Sequence, residues 1–167
     1  IGGGLIFFGG IFVVLAISGM HKYLANAKTA EAINGIGSIA RDAVLAYNEG
    51  DLKQSLCASA TEPVPSSLAN ISGKRYQSAA GDWLVDRGRN AGFSCLKFEM
   101  TTPQYFQYDY KRSGSPDGDT MGDEVHAIAH GDLDGDGTYS TYDLSASIVS
   151  QGRVDIATEP NVTNAGD

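Results

Sequence analysis

The densest group of metal-ligating side chains lies in a short acidic segment, residues 132–143. Aspartates occupy positions 1, 3 and 5 of this segment and glycine occupies position 6. That spacing is typical of calcium-binding loops, in which position 7 donates a backbone carbonyl oxygen and position 12 adds a carboxylate. The sequence therefore predicts a Ca²⁺ site with the candidate ligands Asp132, Asp134, Asp136, Thr138 and Asp143.

The same segment also suits a simple hairpin turn rich in aspartate and glycine. Its flanks alternate as strands do, whereas the EF-hand has helices there, and Asp143 is shorter than the usual glutamate at position 12. Three aspartates within five residues repel one another unless a cation neutralises them. We therefore expect calcium rather than magnesium, which tolerates such cages poorly, and the bare turn stays as the alternative.

The negative charge of the chain is concentrated around this segment. The chain has 12 Lys and Arg against 20 Asp and Glu, a net charge of −8. Residues 1–50 are neutral, whereas residues 115–143 contain eight acids and no Lys or Arg, which equals the whole imbalance. Because no basic patch offsets this charge, we expect no nucleic-acid partner.

The sequence contains no motif that predicts catalysis. It has no nucleophile elbow, phosphate loop, zinc spacing or paired catalytic carboxylates, so we expect no enzymatic activity. His126 and His130 would lie on one side of a strand but about 13 Å apart, too far to share a metal ion. We interpret both histidines as surface residues.

Residues 1–20 form an apolar segment without an ionisable side chain; His21 and Lys22 follow it. A helix of this length spans roughly 30 Å, the thickness of a bilayer's hydrocarbon core. Six of its residues are glycine, and small residues let apolar helices pack closely. We expect an apolar helix that serves as a membrane anchor or packs against copies of itself.

Residues 21–50 predict an amphipathic continuation of the same helix, ended by Glu49-Gly50-Asp51. Apolar residues recur at spacings of three and four, which marks one helical face. That face contains Ile33, Ile36, Ala40, Val44 and Tyr47. The opposite, polar face contains Lys28, Glu31, Asn34, Ser38, Arg41 and Asp42. We expect one helix of roughly 45 residues whose second half packs on a globular head.

The remaining sequence predicts a head that makes the fold α+β. Residues 51–95 are expected to be a connecting region, attached to the core by Trp83, Leu84 and Val85. Residues 96–167 are expected to form an antiparallel sheet with strands at 96–100, in QYFQYDYK, in EVHAIAH and in TYSTYDLSASIV. Tyr105, Tyr108 and Tyr110 are expected in its core, and the last eleven residues on the surface.

An uncharged apolar start that runs into LAISGMHKYLANAKTAEA, an alanine-rich amphipathic helix and a β-rich head together resemble the type IV pilins and pseudopilins. The resemblance is strongest over the first 50 residues. The sequence departs from the family at position 5, which is Leu5 where the family has glutamate, and its first acid is Glu31. Either the given sequence begins a few residues inside the mature protein, or the chain is a divergent filament protein that does not use this glutamate. It also lacks the proline that the family commonly has near the middle of the helix.

The resemblance implies a structural subunit of an extracellular filament at the bacterial cell surface, used for adhesion, motility or secretion. Its apolar helix would sit in the inner membrane before assembly and in the filament core afterwards, with the pilus assembly machinery and copies of the chain as partners. The alternative is a single-pass, membrane-anchored calcium-binding module that does not polymerise.

Cys57 and Cys95 are the only cysteines, and a head exported from the cytoplasm meets oxidising conditions. We therefore expect a disulfide between them, and two buried free thiols are the alternative.

Overall fold

The computed structural model describes the backbone of residues 4–49, 54–114, 119–150 and 152–164, and side chains from residue 27 onward. Helix α1 (Gly4–Glu49) is followed by α2 (Ala80–Trp83) and α3 (Gly92–Leu96), with 3-10 turns at Leu68–Asn70 and Arg87–Arg89. The strands are β1 (Phe106–Ser113), β2 (Glu124–Gly131), β3 (Ser140–Ser150), β4 (Arg153–Ile156) and β5 (Asn161–Thr163).

The architecture is α+β, as predicted: an N-terminal helix packs on one antiparallel sheet. The sheet order is β1-β2-β3-β4, and β5 pairs with the other half of β3. Among the residues whose side chains are described, no helix is long and apolar enough to cross a bilayer. The expected apolar anchor, residues 1–20, lies outside the residues whose side chains are described.

Helix α1 contacts the sheet through a stripe of buried residues with helical periodicity, and this stripe is rotated from the predicted one. Its fully buried side chains are Ala32, Ile36, Ile39, Ala40, Ala43 and Tyr47. Ile33, predicted to be buried, is 38% exposed because it lies one residue, or about 100° of helix rotation, from Ala32. Val44 is half-buried for the same reason.

Two residues of the predicted polar face contact the head instead of solvent. The Glu31 carboxylate accepts a hydrogen bond from the Tyr105 backbone N–H at 2.7 Å. Lys28 Nζ lies 4.6 Å from the centre of the Tyr105 ring, and Arg75 lies 4.7 Å from the same ring. Tyr105 is therefore half-buried between two cations, whereas Tyr108 and Tyr110 are fully buried core residues, as predicted.

The predicted strand at residues 96–100 is wrong. Leu96 ends α3, and Lys97 follows in the left-handed conformation, with φ of 58°, as the helix C-cap. The Phe98 N–H then donates to the Phe93 carbonyl oxygen at 3.1 Å. The alternating apolar residues reflect an aromatic cluster: Phe93 and Phe98 pack edge-on against Trp83, with ring centres 5.0 and 5.3 Å away.

The connecting region is attached to the core by fewer apolar residues than predicted and by a disulfide. Trp83 is buried, but Leu84 and Val85 are 39% and 55% exposed. The predicted disulfide between Cys57 and Cys95 is confirmed, with the Cα atoms 5.9 Å apart. On the chain-entropy model, closing a loop of this size stabilises the fold by about 4 kcal/mol.

Part of the acidic stretch pairs with a partly buried arginine. Asp119 lies 3.0 Å from the Arg112 guanidinium and also accepts the Leu56 backbone N–H at 3.0 Å. Asp123 is 3.9 Å from the same guanidinium. The C-terminal region is on the surface, as predicted, although β5 within it extends the sheet.

A pair of glycines in α1 tests the packing of this helix on the sheet. A Cβ at Gly35 would lie 2.6 Å from Cζ of the buried Tyr108 ring, whereas a Cβ at Gly37 would meet only the Arg41 guanidinium, at 3.3 Å. Alanine favours helix by about 1 kcal/mol over glycine, but overpacking a core costs about 1–3 kcal/mol. We expect Gly35→Ala to lower the free energy of unfolding and Gly37→Ala to raise it. Urea unfolding of the full chain, followed by Trp83 fluorescence, measures both; stabilisation by Gly35→Ala would contradict the packing.

Candidate metal centre

The acidic segment forms the loop of the β2–β3 hairpin. Gly131 at the end of β2 pairs with Ser140 at the start of β3, and the Ser140 hydroxyl donates to the Gly131 carbonyl oxygen at 3.2 Å. Two regular strands therefore hold residues 132–139 at their ends, as the alternating flanks predicted.

Asp132 is the anchor of the loop. Its carboxylate is fully buried and accepts hydrogen bonds from the Ser72 hydroxyl at 2.7 Å, the Gly135 N–H at 2.8 Å and the Gly137 N–H at 3.3 Å. The hydrogen bond from Ser72, with smaller contributions from the loop N–H groups, holds the pKa of Asp132 below its ordinary value despite burial. The carboxylate is therefore ionised at neutral pH.

A turn 60 residues upstream braces this loop. The Gly73 N–H donates to the Asp132 carbonyl oxygen at 2.8 Å. Gly73 and Gly135 both have positive φ, and a Cβ on either would lie 3.4 Å from the Cα of the other. The role of Ser72 was not predicted from the sequence, because nothing local to residue 72 indicates its contact with Asp132.

The other two predicted aspartates of the loop are exposed and lie next to Asp132. Asp134 accepts the Asp136 N–H at 3.2 Å, and Asp136 accepts the Thr138 N–H at 2.6 Å. One carboxylate oxygen from each of the three aspartates lies within 4.8 Å of the others. Among the described residues, these three aspartates form a group of side chains that could together hold one metal ion.

The geometry of the three carboxylates fits a hard cation. Oxygens bound to one Ca²⁺ at 2.3–2.6 Å are at most about 5 Å apart, which matches their spacing. The second oxygens of Asp134 and Asp136 accept no hydrogen bond from the described residues. Asp132 differs from them because its carboxylate already accepts three hydrogen bonds within the protein.

The structure does not bring Asp143 to this group. Asp143 lies within β3, opposite Ile128, on the order of 10 Å along the strand from Ser140. Its carboxylate instead contacts His126 Nδ1 at 3.0 Å. Thr138 lies in the loop, where its N–H is bound to Asp136. Of the five predicted ligands, the structure therefore brings together the side chains of three, Asp132, Asp134 and Asp136.

His126 and His130, which were predicted to be surface residues, make separate contacts. His126 Nε2 lies 3.4 Å from Glu124, and His130 Nδ1 lies 2.9 Å from the Thr141 hydroxyl. Val125, Ala127 and Ala129 of β2 are buried on one face of the sheet, and both histidines lie on the opposite face. Both rings are half-buried there, so they are less exposed than predicted. Burial lowers the pKa of His130.

The loop also contacts helix α1. Lys28 Nζ donates to the Leu133 carbonyl oxygen at 3.3 Å, while its side chain lies over Tyr105. The acidic loop thus lies where the described packing of α1 on the head begins.

No family model, curated protein or solved structure matches this chain. The functional assignment therefore rests on the residues and their geometry.

We expect two kinds of aspartate variant to separate the structural role of the loop from a metal-binding role. Ca²⁺ should raise the melting temperature of the full chain by neutralising the three carboxylates. Asp134→Asn with Asp136→Asn should abolish this shift and leave the metal-free melting temperature nearly unchanged, because both side chains are exposed. Asp132→Asn should lower the melting temperature even without metal. Differential scanning calorimetry with Ca²⁺ and with chelator measures each effect. A wild-type melting temperature that does not change on addition of Ca²⁺ would favour the bare turn.

The contact between Ser72 and Asp132 predicts a pH-dependent stability. A carboxyl whose folded-state pKa is depressed stabilises the fold above its unfolded-state pKa of about 3.9, and this stabilisation is lost as the pH falls through the folded-state pKa. Removing the hydroxyl with Ser72→Ala should cost about 1–2 kcal/mol at pH 7 and progressively less below about pH 4. Urea unfolding between pH 2 and pH 7 measures this, with the exposed Ser66→Ala as control. A pH-independent difference would show that Ser72 does not act through the Asp132 charge.

Proposed function

We propose that the chain is a structural subunit of a pilus-like filament at the bacterial cell surface. The observation that carries this proposal concerns its first helix, in which the part that packs on the head follows an apolar sequence. Helix α1 has 46 residues, and its buried contacts with the head are at Ala32–Tyr47. The sequence that precedes this part includes the uncharged, glycine-rich residues 1–20.

An apolar segment of this length requires a partner. Roughly 20 apolar residues match the thickness of a bilayer, and burying apolar surface is worth about 25 cal/mol per Å². Lipid supplies that burial before assembly, and the same segments of neighbouring copies supply it afterwards. The six glycines among residues 1–20 suit helix packing, since small residues allow close approach of backbones.

The head has properties suited to the outside of a cell. Its disulfide closes the region between Cys57 and Cys95 and persists in oxidising surroundings. We propose that Ca²⁺, at the concentrations found outside cells, binds Asp132, Asp134 and Asp136 and stabilises the β2–β3 hairpin. The role is structural rather than enzymatic, and the acidic surface does not suit nucleic acid.

The pilin-like assignment extends to partners. Before assembly the subunit sits in the inner membrane, where the pilus assembly machinery receives it. The filament serves adhesion, motility or secretion. Assembly relies on packing of the apolar, glycine-rich residues 1–20 and on charges elsewhere in the chain.

Electron microscopy of material sheared from cells tests the proposal, with mass spectrometry to identify the chain. We expect thin filaments that contain this polypeptide. Gly9→Leu with Gly10→Leu should abolish them because bulky side chains prevent close packing of the apolar helices. The head should remain folded, with an intact disulfide and an unchanged near-ultraviolet circular dichroism spectrum.

Recovery of the wild-type chain only in detergent extracts of membranes, with no filaments, would contradict the proposal. That outcome would favour a membrane-anchored calcium-binding module that does not polymerise.

A further inference from the structure

Open space follows one side of helix α1 along residues 31–49. A cavity of about 410 Å³ lies between residues 31–38 of the helix and residues 98–102. A second, of about 160 Å³, lies between residues 42–49 and residues 95–97. The helix residues that line the two cavities recur every three or four positions, so they form one stripe. We refer to the two cavities together as the α1 groove.

The α1 groove is acidic. Four carboxylates line it, and Lys97 is the basic residue among its lining, so its net charge is −3 (one minus four). Those carboxylates are Glu31, Asp42, Glu49 and Glu99. An adjoining cavity that shares Lys97 and Glu99 also contains Arg87, so the negative charge is concentrated on the α1 side.

Two of these acids have no described partner. Glu31 accepts the Tyr105 N–H, and Glu49 pairs with Lys97 at 3.0 Å. Within the described part of the chain, neither Asp42 nor Glu99 forms a hydrogen bond or an ion pair. Burial raises the pKa of Asp42 even though Arg41 is adjacent, as expected for a carboxylate that loses water without gaining a donor. An external cation would therefore be favoured at this position.

The chain itself contains a cationic segment that could enter the groove. Residues 21–30 contain Lys22 and Lys28 and no acid. Lys28 donates to the Leu133 carbonyl oxygen of its own chain, and Lys22 is the other lysine of this segment. The segment also contains apolar residues such as Leu24, and the exposed Leu45 lines the groove.

We propose that the α1 groove receives the Lys22 segment, residues 21–28, of a second copy of the chain, with Lys22 pairing with Asp42 or Glu99. This inference rests on the proposed filament function. The contact is heterologous, because the groove of one copy meets a different surface of the next, so it can repeat indefinitely along a filament. It also fixes the register of neighbouring helices, which apolar packing alone specifies weakly.

Charge reversal tests this contact in cells that express the full chain. Asp42→Lys with Glu99→Lys should lower the filament yield at least about tenfold, because like charges then face each other. Adding Lys22→Glu to that variant should restore filaments. A matched control, Glu62→Lys with Glu159→Lys, changes the net charge equally at exposed acids outside the groove and should leave the yield unchanged.

A carbodiimide, which joins an amine directly to a carboxylate, provides a second measurement on wild-type filaments. We expect mass spectrometry to find cross-links from Lys22 to Asp42 or Glu99 between copies. Normal yield of the groove variant, equal loss in the groove and control variants, or Lys22 cross-linked only elsewhere would overturn the inference while filaments still support the proposed function. Absence of filaments from wild-type cells would overturn both.

Discussion

The close approach of helix α1 to strand β1 is the constraint on which the rest of the fold depends. Gly35 leaves room for the buried Tyr108 ring, whose hydroxyl donates to the Glu31 carbonyl oxygen at 3.2 Å. Small residues, Ala32, Ala40 and Ala43, are also buried on this helix. This packing sets the rotation of α1, and the rotation decides which side chains reach the head, the acidic loop and the open groove.

Features with a strong local pattern were predictable from the sequence. The alternation of apolar and polar residues predicted the limits of β2 and β3 to within about two residues. The aromatic run correctly predicted that Tyr108 and Tyr110 lie in the core. Cysteine count and the expected compartment were enough for the disulfide. Aspartates at positions 1, 3 and 5 come together because they are close in sequence and glycines with positive φ turn the chain between them.

Features that depend on distant contacts were not predictable. Ser72 meets Asp132 only because the upstream turn folds over the hairpin loop. Asp143 suits position 12 of a calcium loop by sequence, yet β3 is already regular at that residue, so its carboxylate points to His126. In residues 96–100 the apolar residues alternate because Leu96 ends a helix and Phe98 joins an aromatic cluster. Over so few residues this spacing is the same as that of a strand.

These contacts together hold residues 28–47 of α1 on the head. Hydrogen exchange of the full chain, resolved by residue, tests this packing most directly. We predict that the amides of residues 32–47 exchange as slowly as those of β2, because helix and sheet open together only in global unfolding. Exchange of residues 32–47 well before β2 would contradict the account, since the helix would then be anchored by something other than the sheet.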